Sequence, residues 1–61
     1  MQLTVRTLAH QLLLSGWPTS PRVCFIAARY YLGLETRETL DILVDRMAIN
    51  GAEMEYIIAN R

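Results

Sequence analysis

The side chains that could do chemistry in this 61-residue chain are few and scattered. It holds one histidine, His10, and one cysteine, Cys24. A zinc site draws several Cys, His or carboxylate ligands at defined spacing, and one of each on different predicted helices does not make one. Cys24 lies in the apolar run Val23-Cys24-Phe25-Ile26 and reads as an inert core residue rather than a thiolate nucleophile. His10 shares a helix face with Arg6 and reads as solvated. Ser15 and Ser20 flank a short loop without the Gly-x-Ser-x-Gly pattern of a nucleophile elbow, and Ser20 fits a helix cap better. Asp41 and Asp45, one turn apart, could hold a hard cation, but read first as a solvated face on which Arg37 can pair with Asp41. Gly16, Gly33 and Gly51 are isolated, so no glycine-rich phosphate loop is present. The expectation is a protein that is not an enzyme, with no catalytic residue, no metal, no cofactor and no small-molecule substrate. A chain this short also has little material for a substrate-sized pocket.

Composition narrows the class further. Sixty-one residues predict one domain, residues 1–61, without room for a second core. Hydrophobic residues make up 52% and the mean hydropathy is +0.19, too apolar for a disordered segment. Six Arg balance six Asp or Glu, so no overall field holds the chain to nucleic acid or to anionic lipid. A neutral, apolar-rich small protein is prone to associate, because little charge repulsion opposes it. All six cations are Arg and none is Lys, a bias in keeping with a GC-rich genome and a bacterial or phage origin. A single Cys excludes an internal disulfide and suits a reducing cytoplasm. No signal peptide is expected, since Arg6, His10 and Gln11 interrupt the apolar start. No window of 18 apolar residues predicts a membrane span.

Glycine, proline and hydroxyl residues punctuate the chain into four predicted helices, approximately 3–15, 20–32, 36–50 and 52–60. In the first, Val5, Leu8, Ala9, Leu12 and Leu13 fall on one face. Gly16 sits where a left-handed terminating residue is wanted, Pro18 prevents continuation, and Trp17 can fold back on Leu12. Ser20-Pro21 is a cap followed by proline at the first helical position. Gly33 ends the second helix, and Thr36 caps the third, with Glu38 in its first turn. Leu40, Leu43, Val44 and Met47 follow as a buried stripe, and Asn50-Gly51 reads as the stop before a short fourth helix carrying Met54, Ile57 and Ile58. One long helix kinked at Gly51 is the competing arrangement. No segment alternates with period two. The predicted fold class is therefore all-α, a bundle of three to four short helices with the second helix central.

That second helix is apolar almost all round. Val23, Ile26, Ala27 and Tyr30 group on one side, and Cys24, Phe25, Ala28, Tyr31 and Leu32 on the other. Only Arg22 and Arg29, seven residues apart, mark a polar stripe. A helix with two apolar faces belongs at a centre, and so small a domain buries only about 60% of its unfolded surface. The second face is thus expected to need another chain. Small residues at 24, 27 and 28 would let a helix approach closely. On the third helix, Ile42 and Ile49 remain after the core stripe is assigned, seven apart on one line beside Glu38, Asp41 and Asp45. Coverage of these residues by the fourth helix is the alternative to an exposed patch.

The run from Ile26 to Leu43 resembles the helix-turn-helix of bacterial and phage repressors: Ala28, then Leu32-Gly33-Leu34, then a capped second helix. It departs from that pattern in two ways: Ala28 lies five positions before Gly33 where the usual spacing is four, and the turn carries one residue more. The resemblance implies a small DNA-binding regulator. Against this, a recognition helix starting at Thr36 would bring Glu38, Asp41 and Asp45 to the phosphates, where binding rests on Lys and Arg. The leading expectation is a small non-enzymatic regulator that binds and occludes a partner protein, with self-association as a homodimer. Arg22, Phe25, Arg29, Tyr31, Leu32, Ile42 and Ile49 would make the contact, the aromatics and Arg being the types that dominate interface energies.

Overall fold

Side-chain caps and backbone stops divide the chain, and both follow from a few residues. In the computed structural model, which describes residues 4–60, these residues form four helices and no strand: α1 (Val5–Leu14), α2 (Pro21–Tyr31), α3 (Arg37–Asp45) and α4 (Gly51–Ala59). The predicted start of the first helix at Leu3 and the chain's last residue, Arg61, lie outside the described residues. Each helix opens on a residue whose side chain accepts a hydrogen bond from an otherwise unpaired backbone N–H. Thr4 accepts from Thr7, Ser20 from Val23, Thr36 from Thr39 and Asn50 from Glu53. At α4 the cap is reciprocal, since the Asn50 N–H donates to Glu53 Oε1 at 2.8 Å. This capping box satisfies two orphan donors at once.

Three of the four helices end in the same way. The N–H of Gly16, Gly33 and Met47 donates to Leu13, Tyr30 and Val44, and the N–H of the next residue, Trp17, Leu34 or Ala48, donates to Leu12, Arg29 or Leu43. This paired pattern is the Schellman motif, and it requires a left-handed residue just past the cap. Gly16 and Gly33 adopt it freely, at φ of +88° and +79°. At the end of α3 the position falls to Met47, with φ of +62°, a conformation that costs a residue with a Cβ roughly 1 kcal/mol.

That stop corrects the reading of the third helix. It ends at Asp45, not at residue 50, and Asn50-Gly51 begins α4 instead of terminating α3. Met47 leaves the buried stripe and is 90% exposed, whereas Ile49 turns inward and is buried. The physical cause is local: Asn50 with Glu53 three residues on is worth more as a capped start than Asn-Gly is as a stop, so the five residues 46–50 become the loop that brings Ile49 into the core.

The core is built around α2. Val23 and Ala27 of α2, Leu40 of α3, Ile49 of the loop and Ile57 of α4 form one buried cluster, with Leu12, Trp17, Tyr30, Tyr31, Val44 and Met54 packed around it. Cys24 and Ala28 are also fully buried but stand outside this cluster. On the helical wheel they turn toward the side where Pro21 and Phe25 meet α1, and the α1–α2 contact is the most extensive between any two helices. Of the α2 face that was expected to need another chain, Cys24 and Ala28 are thus buried within this one, while Phe25 stays 45% exposed. The small side chains at 24 and 28 make that approach possible. Above them Trp17 stands edge-on to Tyr56 at 4.8 Å and to Tyr31 at 6.0 Å between ring centres, an arrangement aromatic rings favour. Trp17 packs against the core beside Leu12, as the glycine stop predicts.

Two substitutions test this account. Met47→Gly removes the left-handed strain and no packing, and raises stability by about 0.5–1 kcal/mol. Asn50→Ala removes the cap and lowers it by about 1 kcal/mol. Urea titration followed by circular dichroism reads both, and a destabilised Met47→Gly would contradict the stop as described.

Candidate interaction surface

Of the seven residues expected to make a partner contact, the structure lines up four. Arg22, Phe25, Arg29 and Leu32 recur at intervals of three and four along one side of α2. Phe25 is 45% exposed, Arg22 is exposed, and Arg29 and Leu32 are half-buried. Arg29 is engaged within the chain: its Nε donates to Glu35 Oε1 at 2.7 Å, tying the end of α2 to the loop that follows. Arg29 therefore steadies the α2–α3 connection, and Arg22 has no ion-pair partner among the described residues. Its exposed companion on this side, Phe25, carries the apolar area.

The other three part company. Tyr31 is drawn into the core edge, where its hydroxyl donates to the Ile57 carbonyl at 2.6 Å and its ring meets Trp17. Ile49 is a correction: it is 3% exposed and belongs to the buried cluster, because α3 stops at Asp45 and the loop turns its side chain inward. Ile42 keeps its expected place on the outer face of α3 and is 50% exposed. It has lost its aligned neighbour and stands among Glu38, Asp41, Asp45 and Arg46, all exposed. The expected Arg37–Asp41 pair does not form; among the described residues Arg29–Glu35 is the one ion pair.

What sequence reasoning missed is the contribution of α1. Ala9 and Leu13 of α1 join Pro21 and Phe25 of α2 as the apolar lining of a shallow groove of about 250 Å³, with Arg6 and His10 along its α1 side. Leu13 is 39% exposed and Leu14, next to it, 72%. The signal was available in the run Leu12-Leu13-Leu14, since three consecutive leucines cannot all face the same core from one helix. Leu12 takes the core and the other two are left outside.

A second signal concerns charge. Residues 1–34 carry Arg6, Arg22 and Arg29 and no Asp or Glu, whereas residues 35–61 carry all six carboxylates with Arg37, Arg46 and Arg61. The zero net charge is the sum of a cationic α1–α2 half and an anionic α3–α4 half. The groove therefore has an apolar floor and an unopposed cationic margin.

Chemistry elsewhere is sparse. Cys24 is buried, with its Sγ 3.6 Å from Thr19 Oγ1. His10 is exposed, and among the described residues no three His, Cys, Asp or Glu side chains gather. A larger concavity, of about 410 Å³, runs along Val44, Ala48, Asn50 and Glu53 at the α3–α4 junction, but Met47 on its rim points into solvent. It brings no reactive side chains together. No described helix is long and apolar enough to cross a membrane. The run that resembles a helix-turn-helix holds the second half of α2, a five-residue connection from Leu32 to Thr36, and α3 as far as Leu43; the helix α2 approaches most extensively is α1, not α3. Among known protein families, characterised proteins and solved structures, none matches this chain.

The distinction between surface and core residues is directly measurable. Ile49→Ala opens a cavity in the buried cluster and costs about 2–4 kcal/mol, a large share of what a domain this size has. Phe25→Ala and Ile42→Ala each cost about 1 kcal/mol or less. Thermal unfolding of the three variants separates them, and an Ile49→Ala protein as stable as Phe25→Ala would remove Ile49 from the core.

Proposed function

We propose that this protein is a small non-enzymatic binding module that regulates a partner protein by covering part of its surface. The reading rests on one observation above all: Leu13 and Phe25, two large apolar side chains exposed to solvent, meet in a single groove whose margin bears Arg6 and His10. Exposed apolar area concentrated at one place, with Arg beside an aromatic ring, is the composition of an interface centre. Two helices form that groove, α1 and α2, whose mutual contact is the most extensive in the fold and of which α1 is capped at both ends.

The partner's contacting surface is apolar with acidic residues, matching the floor and the cationic margin. DNA is the less favoured ligand. The helix that would read its bases, α3, turns Glu38, Asp41 and Asp45 outward, where they repel phosphate.

Affinity capture with the tagged chain from nuclease-treated bacterial lysate tests the reading, with Phe25→Asp as the paired control. The expected result is a stoichiometric protein that wild type retains and Phe25→Asp loses by at least about tenfold, with the variant's helical signal unchanged. Equal capture by both proteins would overturn the groove as the binding surface. Recovery of DNA instead of protein from untreated lysate, lost steeply as salt rises, would replace the reading with that of a small repressor.

A further inference from the structure

The charge segregation names an occupant for the groove. We propose that the α1–α2 groove receives the outward face of α3 from a second copy of this chain, in a head-to-tail contact. The inference rests on the groove being an interaction surface and adds what fills it.

Three observations carry it. The groove offers an apolar floor of Ala9, Leu13, Pro21 and Phe25 with Arg6 and His10 along it and Arg22 one turn before Phe25. That half of the sequence has no carboxylate, and among the described residues only Arg29 of its three Arg is paired, to Glu35. The outward face of α3 is the complement: one exposed apolar side chain, Ile42, with Glu38, Asp41 and Asp45 along one side of it and the single cation Arg46 on the other. None of these three carboxylates has an ion-pair partner among the described residues. The lengths also agree. At 1.5 Å per residue the 10-residue α1 that forms one wall is about 15 Å long, and the 9-residue α3 about 13.5 Å. Ile42 would seat against Phe25 and Leu13 while the carboxylates meet the guanidiniums of Arg6 and Arg22.

The two surfaces differ, so the contact is heterologous. Each copy presents one groove and one α3 face, and association continues beyond a pair unless a ring closes. A stable interface covers about 800 Å² per partner, close to a fifth of the 4346 Å² surface of the chain. A groove and one short helix cover less, so the contact is reversible and yields to a foreign partner with a better acidic, apolar surface.

Sedimentation of the wild type from about 10 µM to 1 mM is expected to show a mass that rises with concentration and passes the dimer. Phe25→Asp spoils the groove and leaves α3 intact; Ile42→Asp does the reverse. Each alone is expected to sediment as a monomer, weakened at least about tenfold, and the equimolar mixture to form a dimer and stop there. A second pair acts on charge alone and leaves the apolar residues in place: Arg6→Glu with Arg22→Glu, and Asp41→Arg with Asp45→Arg. Each of these is monomeric and their mixture associates. A wild type that stays monomeric at the highest concentration overturns the proposal, as does a mixture of two monomeric variants that stays monomeric. An Ile42→Asp protein that dimerises like wild type would mean a symmetric groove-to-groove contact instead. In each of these cases the capture experiment with Phe25→Asp still decides separately whether the groove binds a foreign protein.

Discussion

The packing of α1 against α2 is the contact on which the rest of the structure depends. Cys24 and Ala28 present so little side chain that the two helices meet closely, and their complete burial leaves the opposite side of α2 free to form the main core with α3, the 46–50 loop and α4. A larger side chain at either position would hold α1 away and expose both helices. The contact also creates the groove. Phe25 lies at the edge of the α2 face that α1 covers, so it is half-sheltered by the neighbouring helix and half-presented to solvent. The apolar surface that remains is the margin of the fold's own closest packing.

The economy of the chain shows in its punctuation. Helices of nine to eleven residues are too short to persist alone in water, where isolated helices below about 12–15 residues are marginal. Each therefore begins on a side-chain cap, and the first three close on a paired Schellman turn. These ends define where one helix stops, and so they decide which side chains are inside. Met47 illustrates the leverage. By accepting a left-handed backbone it ends α3 five residues before the next helix begins, and that shortening is what swings Ile49 into the core between Leu40 and Ile57.

Much of this was legible in the residues, and the failures have identifiable causes. Ser20-Pro21, Thr36 and the two glycine stops read correctly because each of those signals has one structural meaning. Asn50-Gly51 has two, a helix end or a capped start, and the choice turned on Glu53, which completes the box. Met47 carries no sign of a left-handed conformation, since a residue with a Cβ disfavours it, so the end of α3 could not be found from periodicity. The double apolar character of α2 was evident, and its second face divides: Cys24 and Ala28 are buried within the chain, while Phe25 stays exposed beside α1, whose apolar stripe is only half-buried. For the interaction surface, periodicity grouped Phe25 with Leu32 and set Arg22 and Arg29 on a stripe of their own, and Ile49 failed with the helix boundary that had aligned it with Ile42. The groove itself depends on how α1 lies across α2, which no single-helix pattern contains.

Net charge hid the remaining signal. A sum of zero describes a molecule with charges evenly interspersed and one with opposite halves equally well, and the two behave differently at close range. Interspersed charges cancel within a Debye length, which is about 8 Å at physiological ionic strength. Here the carboxylates begin only at Glu35, so the groove lined by α1 and α2, with Arg6 and no carboxylate, and the outward face of α3, with Glu38, Asp41 and Asp45, carry opposite signs. For this protein the distribution favours an acidic surface at the groove and a basic one at α3, and it sets the orientation of approach before any apolar contact forms. The apolar groove then supplies the attraction that survives screening. In the proposed contact, Phe25 with Leu13 in the groove and Ile42 on α3 are the points where that short-range term acts, and the opposite charges around them decide which faces which.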